Sequence, residues 1–223
     1  MEDLLRVQYH KTMRGADSYS PLVREYAGLA GDYDRRWRFY IDVSIEETLK
    51  RLEVPKDARV LDVGCGTGEL LVVLKALVPD VHAFGIDLSE EMLAMARAKL
   101  SDGVELAHGA AEQLPFGNAH FDAVVSSNVF HYIRQPKAAL REMQRVLKPG
   151  GQLIITDWCD DYWLCRLCDR FLRQFNASHF RTYRSEECSF LLTDAGFDDV
   201  DVTRYKINWL WGLMTARARR PSG

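Results

Sequence analysis

The sequence predicts an α/β fold in which helices cover both faces of a doubly wound, mostly parallel sheet. Short apolar runs at 60–63, 83–88 and 122–127 alternate with amphipathic helical patterns. The first run passes directly into a cluster of glycines, and the second ends in an acidic residue. Strands that alternate with helices in this way are joined by right-handed crossovers, and 223 residues suit a single domain.

The glycine cluster after the first predicted strand indicates a binding loop. Gly64, Gly66 and Gly68 occupy alternate positions and are followed by an apolar helical pattern. Glycine adopts positive φ freely, lets a ligand approach the backbone, and here precedes a helix N-terminus with free N–H groups. Position 69 is Glu, where a dinucleotide fingerprint has Gly or Ala, and no Lys follows as in a P-loop. The loop is therefore expected to bind a nucleotide-like ligand other than a dinucleotide or a P-loop nucleotide.

Several stretches together resemble the class I S-adenosylmethionine-dependent methyltransferases, and most closely the ubiquinone/menaquinone-biosynthesis type. They are VLDVGCGTG at 60–68, GAAEQLPF at 109–116, FDAVVSSNVFH at 121–131 and RVLKPGG at 145–151. The resemblance implies a Rossmann-like, seven-stranded sheet with an antiparallel last strand, an N-terminal helical cap and a lid inserted after the fifth strand. It also implies S-adenosylmethionine as cofactor and a small-molecule methyl acceptor as substrate.

On this resemblance, cofactor contacts are expected from Tyr33, Asp62, Gly64, Cys65, Gly66, Asp87, Leu88, Met92, Ala111, Glu112 and Asn128. Asp87 ends the second strand, where an ionised carboxylate can accept both ribose hydroxyls. The family usually has Asp where this chain has Ala110, which leaves backbone groups near Ala111 and Glu112 to hold the adenine. Tyr33 lies in a cap segment where an aromatic ring near the sulfonium would contribute about 0.5–2 kcal/mol. Packing within the cap is the alternative role for this tyrosine.

The chain divides into a helical cap at 1–52, a cofactor-binding core at 58–157, a substrate lid at 158–190 and a C-terminal sheet edge at 191–218. The lid is predicted to contain a helix with an apolar face (Trp163, Leu164, Leu167, Phe171, Leu172, Phe175) and a row of arginines (Arg166, Arg170, Arg173). A solvated face is the preferred interpretation of that row, and an anionic acceptor or a membrane surface are the alternatives. Ser185 is expected to cap the next helix, and the tail at 217–223 to fray.

The candidate catalytic residues are His131, His10 and Asp157. Methyl transfer needs a general base only when the acceptor must lose a proton, and a histidine with a pKa near 6.5 suits that role. His131 follows the fourth strand, where the family places its methyl-transfer site, although it is also compatible with a structural role in the pocket wall. His10 belongs to a segment that can fold over the site, and Asp157 ends the fifth strand.

Five cysteines, an odd number, predict reduced thiols and a cytoplasmic protein. Cys159, Cys165, Cys168 and Cys188 leave open a thiophilic, arsenite-type methyltransferase, but their spacing is not that of a zinc site, so no metal is expected. Cys168 is expected to be a small core residue. A non-catalytic S-adenosylmethionine-binding module is the second alternative, because Ala110 replaces an expected acid.

The net charge of −3 provides no overall basic field, so no nucleic-acid partner is expected. No apolar run is long enough for a transmembrane segment, and the acidic start at Met1, Glu2 and Asp3 does not resemble a signal peptide. A homodimer remains open.

Overall fold

A seven-stranded sheet organises the protein. The computed structural model describes residues 19–29, 32–100, 103–176, 179–209 and 211–223. The strands are β1 (Arg59–Val63), β2 (His82–Asp87), β3 (Val104–His108), β4 (Phe121–Ser127), β5 (Leu147–Trp158), β6 (Asp198–Lys206) and β7 (Gly212–Arg219). Their order is β3-β2-β1-β4-β5-β7-β6. The first five strands pair in parallel, and β7 runs antiparallel to both neighbours, so the predicted fold class is confirmed.

Helices cover both faces of this sheet. They are α1 (Ser20–Leu29), α2 (Tyr33–Leu49), α3 (Glu69–Leu77), α4 (Glu90–Lys99), α5 (Pro136–Val146), α6 (Trp163–Phe175) and α7 (Ser185–Asp194), with a 3₁₀ turn at Phe130–Tyr132. The central strands are buried on both faces, which is why they read as continuous apolar runs. Leu61 of β1 and Val124 of β4, which lie opposite each other, are completely buried.

The strand order reverses between β1 and β4, and this reversal positions the site. Connections from neighbouring strands leave toward opposite faces at such a point and open a crevice at the carboxyl edge. The glycine loop after β1 and the Asn128 turn after β4 lie on either side of this crevice.

Two local predictions were wrong. The C-terminal tail does not fray at 217, because β7 continues to Arg219 and Arg220 is held on β5. Its N–H donates to the Gly151 carbonyl at 2.9 Å, and its guanidinium donates to the Leu147 carbonyl. Ser185 does not cap α7 either, since it is the first helical residue and its hydroxyl donates to Asp161.

The predicted lid corresponds to an insertion with a closed base. Cys159 and Tyr183 form an isolated parallel bridge, and the Asp160 N–H donates to the Tyr183 carbonyl at 2.9 Å. The predicted lid boundary after residue 190 falls inside α7. Across the described ranges, no helix combines the length and apolarity needed to cross a bilayer.

Candidate cofactor and acceptor site

One cavity lies at the carboxyl ends of β1, β2 and β4 and extends beneath α1 and α2. It has an open volume of about 1080 Å³, part of it continuous with solvent. All the residues predicted to contact the cofactor line it: Tyr33, Asp62, Gly64, Cys65, Gly66, Asp87, Leu88, Met92, Ala111, Glu112 and Asn128. A single chamber therefore collects residues from the cap, the glycine loop and the loops after β2, β3 and β4.

The glycine loop forms the floor of this cavity. Gly64 and Gly66 have φ angles of 78° and 52°, in the region that favours glycine. A Cβ at Gly64 would overlap the side chain of Val129, whereas a Cβ at Gly66 would point into open space. The first glycine thus allows the loops after β1 and β4 to pack together, and the second leaves room for a ligand.

Asp87 is fixed at the end of β2 by backbone donors. Its two carboxylate oxygens accept hydrogen bonds from Gly66 N–H at 2.8 Å and Ser89 N–H at 2.9 Å. Burial raises the pKa of this carboxyl, and the two N–H donors oppose that shift. The carboxylate retains free lone pairs in the cavity, as the hydroxyls of a ribose require.

Asp62 is the least solvated acid of the cavity wall, with only 2% of its surface exposed. Burial and the neighbouring charge of Asp87 raise its pKa to about 8. A buried carboxylate without a cationic partner is costly, and a positively charged group in the cavity would relieve that cost. The ammonium group of S-adenosylmethionine has the charge that this position favours.

The cap is attached to the cavity rim by polar contacts from its tyrosines. The Tyr19 hydroxyl donates to Glu112 and accepts the Arg134 N–H at 2.8 Å. The Tyr26 hydroxyl donates to the Tyr132 hydroxyl at 2.7 Å. Glu112 therefore lines the cavity with one carboxylate oxygen already bonded to the cap.

A second set of polar contacts ties α2 to the helices after the glycine loop and β2. Asp34 accepts a hydrogen bond from Thr67 at 2.6 Å and pairs with Lys99, which also lies 2.6 Å from Glu69. Asp34, the acidic neighbour of Tyr33, thus anchors the cap to the glycine loop and does not line the cavity.

His131 and Asp157 form a buried pair where β4 and β5 end. Asp157 accepts the His131 backbone N–H at 2.8 Å, the His131 Nδ1 at 2.6 Å and the Trp158 N–H at 2.7 Å. The bond to a carboxylate assigns the proton to Nδ1 and leaves the Nε2 lone pair free. Within the described residues, Nε2 has no hydrogen-bond partner although His131 is only 2% exposed.

Comparisons with known proteins agree with this geometry. Residues 61–155 match the family described as "Methyltransferase domain". The chain is 41% identical over 117 residues to a demethylmenaquinone methyltransferase of Listeria monocytogenes, over 50% of this chain and 49% of the relative. It is 28% identical to the demethylmenaquinone methyltransferase of Geobacillus kaustophilus, over 82% of this chain and 90% of the relative.

A solved S-adenosylmethionine-dependent methyltransferase from Thermotoga maritima superimposes with a TM-score of 0.72 at 24% identity, over 89% of this chain and 99% of that one. Residues 61–155 are thus similar to a methyltransferase family, and the fold is that of an S-adenosylmethionine-dependent methyltransferase. The chain spans about half the length of the Listeria relative that it matches.

The predicted catalytic residues do not all reach the cavity. His131 and Asp157 are paired but lie behind the wall, where the His131 ring is 3.8 Å from the ring of Tyr132, which does line the cavity. His10 falls outside the described residues. The pair is therefore separated from the ligand space by one tyrosine.

A second histidine–carboxylate pair faces the first. His179 Nε2 lies 2.8 Å from Asp169 of α6, and the His131 and His179 rings are 5.6 Å apart. The sequence offered no reason to select Asp169, because its partner is decided by how the insertion folds back. Sequence reasoning did not select Tyr19 and Tyr26, which also line the cavity, although their separation of two helical turns was a signal that they share a face.

Cys65 lines the cavity, but the four cysteines between residues 159 and 188 do not. Cys159, Cys165 and Cys188 are buried elsewhere, and Cys168, expected in the core, is only partly buried because Cys165 takes the inward position on α6. Burial raises the pKa of Cys159 and Cys188 to about 12. No cluster of three or more metal-binding side chains occurs within the part of the chain that the structure describes.

Proposed function

We propose that this methyltransferase transfers the methyl group of S-adenosylmethionine to a small aromatic acceptor whose nucleophile must first lose a proton, with His131 as the general base. The observation that carries this proposal is the buried His131–Asp157 pair, whose Nε2 receives no hydrogen bond from the described residues. Leaving a buried acceptor atom unpaired costs about 1–3 kcal/mol. Such a cost is understandable if the atom accepts a proton during turnover.

Asp157 orients the base and supports its positive charge. It receives three N–H groups, so its carboxylate is fixed before the imidazole ionises. A carboxylate behind Nδ1 holds the imidazole in one tautomer and stabilises the imidazolium that forms. Asp157 is therefore proposed as a positioning residue rather than as a group that touches the acceptor.

The tyrosines of the cavity wall are poor alternatives as bases. Burial raises the pKa of Tyr33 to about 12 and raises the pKa of Tyr132 above its usual value. Their hydroxyls stay protonated near neutral pH, and their rings offer flat surfaces for an aromatic acceptor. Because Tyr132 covers His131, we propose that acceptor binding opens the Tyr26–Tyr132 contact and uncovers Nε2.

The proposed reaction balances without a further reactant. The acceptor gives a proton to His131 Nε2, and its electron pair forms a bond to the methyl carbon. The carbon–sulfur bond breaks, its electrons return to sulfur, and neutral S-adenosylhomocysteine leaves. The protein's contribution is to hold the reacting atoms in line, to exclude water and to accept the proton, which is worth about 10²–10⁴-fold.

The acceptor class rests on the cavity and on the relatives' name. The relatives are demethylmenaquinone methyltransferases, and an aromatic ring bearing a hydroxyl group fits both that name and the wall of Tyr26, Tyr33 and Tyr132. Losing the hydroxyl proton would activate either the oxygen or a ring carbon. The predicted cap at 1–52 and lid at 158–190 would hold this ring between them.

The two alternatives from the sequence receive less support. A thiophilic acceptor would need exposed thiolates, whereas burial keeps the pKa of Cys159 and Cys188 high and places these thiols away from the cavity. A binding module without catalysis gives no role to His131 Nε2, to which none of the described residues is hydrogen-bonded.

A His131→Asn variant tests the proposal. Asparagine keeps a donor for Asp157 but removes Nε2, so we expect turnover to fall by about 10²–10⁴-fold with little change in cofactor affinity. Methyl transfer from labelled S-adenosylmethionine to a panel of hydroxylated aromatic compounds measures the first quantity, and calorimetry measures the second.

His82→Asn is the matched control, because His82 is exposed at the opposite end of β2. It should leave both quantities unchanged. Full turnover in His131→Asn would remove His131 as the base while leaving the cofactor site intact. Absence of methyl transfer by the wild-type protein to any compound of the panel would reject the aromatic acceptor.

A further inference from the structure

The lid helix α6 presents an apolar face to solvent. Trp163, Leu167, Phe171 and Phe175 recur at every fourth position, and between 58% and 72% of each is exposed. The side of α6 that faces the protein is instead formed by Cys165 and Asp169, which are buried. None of the described residues covers the apolar face, so it contributes little to holding α6 on the protein.

A basic row borders this apolar face. Arg166, Arg170 and Arg173 occur along one edge of α6, and Arg170 is exposed. Arg166 lies 3.7 Å from Asp160, and Arg173 lies 3.1 Å from Asp169. Asp169 is the only acidic residue of α6 and is buried against His179. The outer surface of the helix therefore combines large apolar side chains with positive charge.

We propose that α6 docks on the surface of an anionic lipid bilayer. A helix with Trp, Phe and Leu on one face and arginines beside them lies in the headgroup region, with its apolar side chains about 5–10 Å deep. Trp163 suits the interface between headgroups and acyl chains. The exposed Arg170 complements the phosphate groups of an anionic surface, whereas Arg166 and Arg173 lie near carboxylates.

The same observations favour a bilayer over a second copy of the chain. The exposed apolar face consists of four side chains, whereas a stable protein interface buries ~800 Å² and about 20–30 residues per partner. A symmetric pair would also bring the arginine rows of two copies close together. A bilayer can bury a small apolar face, and its anionic headgroups attract positive charge.

The test is co-sedimentation of the full chain with vesicles. We expect binding to vesicles of equimolar phosphatidylcholine and phosphatidylglycerol, and much weaker binding to phosphatidylcholine alone. Phe171→Ser should weaken binding to the mixed vesicles by about tenfold or more, since a large apolar side chain is lost. Arg170→Glu should weaken it by about tenfold and reduce the preference for the anionic lipid.

Phe190→Ser is the control, because Phe190 is 63% exposed on α7 and lies outside the proposed face. It should bind vesicles like the wild-type chain. Absence of wild-type binding to the mixed vesicles would overturn the proposal. The proposal would also be overturned if sedimentation velocity showed that the wild-type chain is a dimer and that the Phe171→Ser variant is a monomer.

Discussion

Asp62 illustrates a conflict between folding and binding at a single residue. Its pKa is about 8 in the folded protein without cofactor, compared with about 3.9 in an unfolded chain. Between pH ~4 and ~8, Asp62 therefore keeps its proton in the folded state but has lost it in the unfolded state. The stability that this group contributes is complete below pH ~4 and is lost as the pH rises toward 8.

An Asp62→Asn variant should consequently be more stable but unable to bind well. Asparagine keeps the shape and removes the buried charge, so we expect a higher melting temperature for the cofactor-free protein at pH 8, by about 2–4 °C for each kcal/mol gained. Affinity for S-adenosylmethionine should fall at least tenfold. Scanning calorimetry and titration calorimetry measure the two effects, with the exposed residue Asp80 changed to Asn as control. A destabilised variant with full affinity would contradict this assignment.

The same residue predicts how cofactor binding depends on pH. A cationic ligand prefers the Asp62 carboxylate, so binding must release the proton that Asp62 holds below pH ~8. We expect affinity to rise by up to about tenfold per pH unit between pH ~5.5 and ~7, below the range in which the cofactor's own amino group titrates. Titrations in buffers of different ionisation enthalpy would count the released protons. A flat affinity profile would place the ammonium elsewhere.

Helix α1 acts as a cover whose attachment depends on few hydrogen bonds. Tyr19 joins Glu112 of the loop after β3 to the backbone of Arg134, and Tyr26 joins Tyr132. These contacts join α1 to residues that line or border the cavity, so we expect the cofactor to exchange faster when they are lost. Helix α1 is thus held in place mainly by hydrogen bonds to residues that line or border the cavity.

A Tyr19→Phe variant should loosen this cover. It leaves the Glu112 carboxylate and the Arg134 N–H without their shared partner, and we expect S-adenosylmethionine to dissociate about tenfold faster. Stopped-flow displacement measures that rate, and hydrogen exchange of α1 should accelerate in parallel.

Tyr205→Phe is the matched control, because Tyr205 lies on β6, away from the cavity. The substitution removes a hydroxyl that forms a 2.8 Å hydrogen bond with the Thr215 hydroxyl. It should leave the dissociation rate unchanged. An equal dissociation rate in the wild-type chain and Tyr19→Phe would mean that α1 does not limit cofactor exchange.

On the scale of the whole molecule, the last residues secure the antiparallel side of the sheet. The Arg220 guanidinium donates to the carbonyls of Leu147 and Arg145. Arg220→Ala should lower the free energy of unfolding by about 1–3 kcal/mol, measured by urea denaturation. Arg38→Ala is a suitable control, because the exposed Arg38 lies 4.0 Å from Asp42 and such pairs contribute little. Equal stability of both variants would show that the tail is dispensable.

The half of the fold that binds the cofactor was predictable because its signals are local. Gly64, Gly66 and Asp87 lie within short motifs whose backbone geometry follows from residue type. The Tyr19–Glu112 contact joins residues 93 positions apart, and the His131–Asp157 bond depends on the register that pairs Ser127 with Thr156. Periodicity likewise located the apolar face of α6 but could not tell which face would meet the protein. The homodimer, the lack of a nucleic-acid partner and the cytoplasmic setting stay predictions.

The closed base of the lid has a consequence for engineering. Because Cys159 and Tyr183 are bridged, the segment between them leaves the sheet and returns at one point, which makes it exchangeable as a cassette. Its Asp169 and His179 face the proposed base, whereas the donor pocket is built from residues outside it. Replacing this segment with the corresponding segment of a related enzyme should therefore change which molecules are methylated. The affinity for the methyl donor should stay the same.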